Sequence, residues 1–219
     1  MTQKERFNTV LNWFRTQMPF AETELQYKSD FELLVAVVLS AQCTDKRVNQ
    51  ITPALFEAFP NAMAMASAQQ DEIFQLIRSV SYPNNKSAHL LGLSKMICDE
   101  YSGQIPSTVE ELVRLPGVGR KTANVLVSVL HNQPAMAVDT HVYRVSRRIG
   151  LVPASSNTPL KVEMALMKHI PKQEVHIAHH WLILHGRYIC KARKPECARC
   201  GLFASCRHFS KNPLQQIVD

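Results

Sequence analysis

The chain has 219 residues, of which 46% are hydrophobic and 20% charged, and it carries a formal net charge of +7. That balance is that of a globular chain and not of a disordered one, and the longest clean apolar run, Leu33 to Leu39, is far too short to cross a bilayer. The excess of cations points to a polyanionic partner, with nucleic acid first and an anionic membrane surface second.

Helical periodicity and cap signals recur along the chain, and no stretch alternates apolar and polar residues between turn signals, so an all-α protein is predicted. Phe7, Val10, Leu11 and Phe14 share one face of a helix over 4–18. With no signal-peptide core or cleavage site, this segment reads as the docking helix of a cytoplasmic protein. Further helices are predicted over 30–41, 45–58, 69–80, 85–101, 107–114, 120–131, 140–149, 158–169 and 175–189. Ser29 to Glu32 and Ser107 to Glu110 fit the capping box, and Thr158 followed by Pro159 fits a cap with proline at the first helical position. Val125 to Leu130 is β-branched enough for a strand, but it extends the helical pattern that starts at Ala123. Residues 150–159 read as a loop, and Met164 and Met167 as core positions.

The stretch LPGVGRKTANV, Leu115 to Val125, joins a glycine hairpin to an apolar helix. Gly117 and Gly119 allow a tight turn with positive φ, so that backbone N–H groups beside a helix N-terminus can face an anion. A plain interhelical loop is the alternative. Lys121 falls in the first turn of that helix, where the dipole and neighbouring Arg120 both disfavour an ammonium and so favour a nucleophilic amine. Read alone, it can equally be a solvated, phosphate-contacting lysine. Asp139, immediately before the next helix, is either an N-cap or a carboxylate able to assist deprotonation and stabilise an oxocarbenium-like sugar. Arg144, Arg147 and Arg148 follow it, available to phosphates or solvent.

Four of the six cysteines, Cys190, Cys197, Cys200 and Cys206, crowd into one short segment, which favours metal binding over a disulfide framework. Four thiolates can ligate an iron–sulfur cluster or zinc. A structural zinc usually uses two short cysteine pairs, and only one is present, which favours the cluster. Between the first two cysteines lie Lys191, Arg193 and Lys194, a cationic loop.

Together with SAQCTD (40–45), AVDTHVYRV (137–145) and HHWLILHGRYIC (179–190), these segments resemble the endonuclease III family of helix-hairpin-helix DNA glycosylases. The resemblance covers nearly the whole chain. It implies a two-lobed all-α fold with the DNA and an extruded base between the lobes: a six-helix lobe over 22–133, and a discontinuous cluster lobe over 1–21 and 134–219.

The resemblance further implies excision of oxidised pyrimidines such as thymine glycol from damaged double-stranded DNA. Lys121 would attack the sugar C1′, Asp139 would be its carboxylate partner, and the Schiff base would cleave the strand by β-elimination. A four-iron, four-sulfur cluster would sit on Cys190, Cys197, Cys200 and Cys206. DNA contacts would come from Gly117, Val118, Gly119 and Arg120, from Lys191, Arg193 and Lys194, from Gln42 plugging the vacated stack, and from Tyr82 as a wedge. Asp45 would line the base pocket, or serve as a helix-N-terminal acid. A monomer is expected.

Two departures from the common family pattern are Ser81, where glycine is frequent, and Cys43, where alanine is frequent. The histidines His176, His179, His180 and His185 have metal-ligand spacings, but the family segment containing them makes them packing or DNA-proximal residues. An adenine-specific mismatch glycosylase would carry a catalytic glutamate before the glutamine motif, and LLVAVVLSAQ has no acid. A non-enzymatic DNA-binding module with a structural metal is the rival from another class.

Overall fold

A computed structural model describes residues 1–211; residues 212–219, the end of the second predicted lobe, lie outside the described part. Among the described residues every regular element is helical. The α-helices are α1 (Gln3–Gln17), α2 (Asp30–Ser40), α3 (Asp45–Ala58), α4 (Ala62–Ala66), α5 (Gln70–Ile77), α6 (Pro83–Tyr101), α7 (Val109–Leu112), α8 (Arg120–His131), α9 (Thr140–Ile149), α10 (Pro159–Met167), α11 (Val175–Tyr188) and α12 (Arg207–Lys211). Short 3₁₀ turns stand at Lys172–Glu174, Cys197–Arg199 and Phe203–Ser205. The chain divides into two compact units, Glu24–Asn132 and Met1–Thr23 with the segment from Gln133 onward.

In the first unit α2 is the central rod. Leu33, Leu34, Val35, Ala36, Val38 and Leu39 are all buried, the pattern of a helix covered on every side, and α3, α6 and α8 pack around it. Val125 to Leu130 is helical within α8, which buries Ala123, Leu126 and Val127. α4 and α5 pack on α6. At five residues α4 is too short to show periodicity, and Asn61 starts it by accepting the Ala64 N–H at 2.9 Å.

The caps differ in detail from expectation. Ser29 accepts the Glu32 N–H at 3.2 Å, but the Glu32 carboxylate accepts from the N–H of Lys28 at 2.7 Å, so the box is only half formed. α7 begins one residue later than STVE suggests, because Thr108 and not Ser107 accepts the Glu111 N–H, at 3.3 Å. Thr158 caps α10 with Pro159 at its first position, as expected.

In the second unit Phe7, Val10, Leu11 and Phe14 of α1 are buried together with Val142, Val145, Val162, Leu166 and Trp181. Phe14 stacks on Trp181 at 5.6 Å, and the indole N–H donates to the Met18 carbonyl at 2.7 Å. α9 and α11 cross closely at Gly186, where a Cβ would stand 2.8 Å from the Cβ of His141. Met164 is not core: it is 65% exposed, because the short α10 buries Val162 and Leu166 on its other side, whereas Met167 does pack against the core.

Candidate functional site

The hairpin before α8 is pinned from below. Leu115 and Val118 are buried, and the Val118 N–H donates to the Leu115 carbonyl at 3.0 Å. Gly117 has φ +80, and a Cβ there would lie 2.9 Å from the Cβ of His89. Gly119 departs from the expected positive φ: as N-cap of α8 it has φ −91, and a Cβ would meet nothing within 4 Å. Having no side chain, it gives α8 no side-chain cap at the helix start that carries the exposed Arg120 and Lys121.

Gln42 and Tyr82 are brought into one assembly. Both are exposed and both adopt left-handed backbone at φ 56, a conformation uncommon outside glycine. The Ser81 hydroxyl donates to the Gln42 carbonyl at 2.6 Å, tying the two turns together. Asp45 is the half-buried first residue of α3, but the cap is Thr44, which accepts the Arg47 N–H at 3.2 Å.

Asp139 is the N-cap of α9, and its Oδ1 accepts the Val142 N–H at 2.7 Å. The arginines of α9 all donate to backbone carbonyls. Arg144 donates to the Gly186 carbonyl at 2.8 Å and the Cys190 carbonyl at 3.0 Å, and Arg147 to the Ser156 carbonyl at 2.6 Å. Arg148 donates to the carbonyls of Lys191 at 2.6 Å and Ala192 at 2.9 Å. One helix therefore starts at Asp139 and clamps the backbone of the basic loop. In that loop Lys191, Arg193 and Lys194 are exposed, with Lys191 also paired to Glu196.

All six cysteines are free and half-buried. Cys190, Cys200 and Cys206 pack against the core of the second unit. Burial pushes Cys200 up to about 11, and the charges of Cys206, Cys190 and Cys197 add to the rise. Four soft donors that feel one another suit a multiply charged, sulfur-ligated cationic group, whose charge would offset this mutual repulsion. Among the described residues no three His, Cys, Asp or Glu side chains are gathered as ligands of one metal ion, the histidines of α11 included. His179, His180 and His185 are instead buried; His185 is pushed down to about 4 by burial, with Nε2 lying 3.6 Å from the Cys200 Sγ.

The model of the HhH-GPD superfamily of base excision DNA repair proteins matches residues 35–172. Endonuclease III of Bacillus subtilis is 46% identical over 100% of this chain and 99% of its own, and that of Rickettsia felis is 45% identical over 95% and 97%. The chain belongs to the endonuclease III family. A solved structure of a trapped endonuclease III–DNA covalent intermediate is similar as well, with TM-score 0.92 and 45% identity over 97% of this chain and 100% of that one.

As an endonuclease III family member the chain is a base excision DNA repair enzyme, a DNA N-glycosylase with abasic-site lyase activity. Among the described residues no helix is long and apolar enough to cross a membrane. Sequence reasoning missed Lys86 as a member of this constellation. Its side chain is 5% exposed and its Nζ donates to the carbonyls of Leu39 at 2.8 Å and Ala41 at 2.7 Å. The signal was present: Lys86 stands in helical register with the apolar positions Leu90, Leu93 and Ile97 of α6.

Proposed function

We propose that this enzyme excises oxidised pyrimidines, thymine glycol among them, from duplex DNA and then cleaves the strand at the abasic site. Lys121 is the nucleophile. Its neutral amine attacks C1′ as the glycosidic bond breaks, the electron pair and a proton leave with the base, and the C1′–O4′ bond then opens, O4′ taking a proton from solvent, to leave an iminium linking Nζ to C1′. Loss of a C2′ proton and expulsion of the 3′ phosphate complete a β-elimination, and water then frees the lysine. Asp139 is the carboxylate that assists deprotonation and stabilises positive charge on the sugar.

The observation carrying the reading is the exposed Lys121 at the uncapped start of α8, in a chain 45% identical to an endonuclease III trapped covalently on DNA. The hairpin Gly117 to Arg120 receives backbone phosphate, and Lys191, Arg193 and Lys194 supply further phosphate contacts. Gln42 fills the vacated stack, Tyr82 wedges beside it and Asp45 lines the base pocket. Residues 22–133 are the helix-hairpin-helix lobe, and residues 1–21 with 134–219 the cluster lobe.

Cys190, Cys197, Cys200 and Cys206 would hold a four-iron, four-sulfur cluster. Such a group supplies a covalent cross-link across the basic loop. The enzyme works as a cytoplasmic monomer.

The test is borohydride trapping on duplex DNA containing thymine glycol, with Lys121→Ala and undamaged duplex as controls. A covalent adduct requiring both the lesion and Lys121 is expected. Folded, DNA-binding protein that gives no adduct overturns the Schiff-base mechanism and leaves a monofunctional glycosylase.

A further inference from the structure

We propose that Lys86 is a positioning residue for base extrusion, its ammonium fixing the turn that presents Gln42 to the duplex. The proposal rests on the reading that Gln42 enters the base stack.

Lysine is rarely buried, and an ammonium taken out of water destabilises the fold unless donors and acceptors match closely. At Lys86 they do. The two carbonyls that accept from Nζ, those of Leu39 and Ala41, bracket the C-terminal end of α2, where the helix dipole is negative. Burial lowers the affinity of Lys86 for its proton, and nearby Cys43 opposes that effect.

The same residue grips the second turn with its backbone. The Lys86 N–H donates to the Tyr82 carbonyl at 3.1 Å, while Ser81, one residue before Tyr82, donates its hydroxyl to Gln42 at 2.6 Å. Lys86 and Ser81 thus hold three of the four carbonyls from Leu39 to Gln42, those of Leu39, Ala41 and Gln42. Gln42 and Tyr82, joined through Ser81, both have left-handed backbone, a strained state that persists only when its surroundings enforce it. An apolar side chain in place of Lys86 would fill the core but leave those carbonyls without donors. The charge is therefore spent on geometry at an exposed tip, Tyr82 being 61% exposed, and not on packing.

A plug matters only where there is a stack to fill. An abasic aldehyde in a single strand is already accessible to Lys121, so it needs neither Gln42 nor the turn that aims it. The experiment measures single-turnover excision from thymine-glycol duplex and, in parallel, borohydride trapping on a single-stranded abasic oligonucleotide. Lys86→Met, Gln42→Ala, the double variant and Ser81→Ala are compared with wild type, and thermal melting monitors folding.

Lys86→Met is expected to lose about 10- to 100-fold on the duplex while trapping on the single strand stays within about two-fold. Gln42→Ala should show the same split, and the double variant little further loss, because the two changes remove one function. Ser81→Ala should shift the ratio in the same direction by less. A Lys86→Met protein that keeps full duplex excision, or that loses both activities in proportion, overturns the proposal. If Lys86→Met does not fold, an unchanged duplex-to-single-strand ratio in Ser81→Ala overturns it equally. The adducts of wild type lost in Lys121→Ala test the proposed chemistry, whereas the ratio between substrates tests the positioning.

Discussion

Arg144 donates its Nε–H to the carbonyl of Cys190, 46 residues further along the chain, at 3.0 Å. Arg148, one turn later on α9, holds the next two carbonyls, those of Lys191 and Ala192. The helix capped by Asp139 therefore also fixes the backbone of the basic loop, through charge-assisted bonds to carbonyls that have no helical partner.

Arg148→Met keeps the aliphatic stem and removes both donors. The expected cost is about 2 kcal/mol of stability, the scale of hydrogen bonds to a charged group. Trypsin offers a local readout, because Lys191 and Arg193 lie in the segment that Arg148 holds, whereas Lys194 precedes Pro195 and is not cut. Cleavage there should accelerate in Arg148→Met, and an unchanged cleavage rate would count against the clamp.

The two hairpin glycines should separate stability from binding. Gly117→Ala combines a left-handed φ with a Cβ 2.9 Å from His89, so it is expected to destabilise by about 1–3 kcal/mol. Gly119→Ala has neither problem, since its backbone is extended and a Cβ meets nothing within 4 Å. Its melting temperature should fall by less than that of Gly117→Ala, alanine being only a poorer N-cap, while affinity for duplex DNA falls because the new methyl stands where phosphate approaches. Denaturation and fluorescence-anisotropy titrations on both variants decide this. Wild-type affinity in Gly119→Ala would show that the hairpin does not face DNA.

How much of this was legible in the sequence follows from what each signal measures. Local periodicity found the long helices, and the α1 face of Phe7, Val10, Leu11 and Phe14 is buried as a set. Periodicity failed for α4 and α12, five residues each, and for Met164, because a nine-residue helix carries too few turns to define one face. Single residues such as Lys121 and Asp139 were visible by position relative to helix starts, which is a local property. The partners of Lys86, Arg144 and Arg148 were not, since each donates to carbonyls at least 42 positions away and a carbonyl acceptor leaves no trace in residue type. What the sequence did show at Lys86 was a charge on an apolar stripe, a local inconsistency of the kind that marks functional or strained places.

The stability of the enzyme should fall in mild acid, and His180 provides a measurable part of that fall. His180 is buried in α11, and burial pushes it down to about 4, with His176 and Arg187 adding positive charge nearby. The unfolded chain, with histidine near its ordinary 6.5, takes up a proton between pH 6.5 and 4, while the folded protein does not. Stability is therefore fully present above about pH 6.5 and is lost as pH falls towards 4, by roughly 3 kcal/mol in total for this group. Urea denaturation at pH 7 and pH 5 in wild type and His180→Leu checks the sign. Wild type should lose about 2 kcal/mol more than the variant across that interval. His185, also depressed to about 4, is present in both proteins and cancels from the comparison. An equal loss in the two proteins would mean that His180 accepts a proton in the folded state, and that its side of α11 admits water.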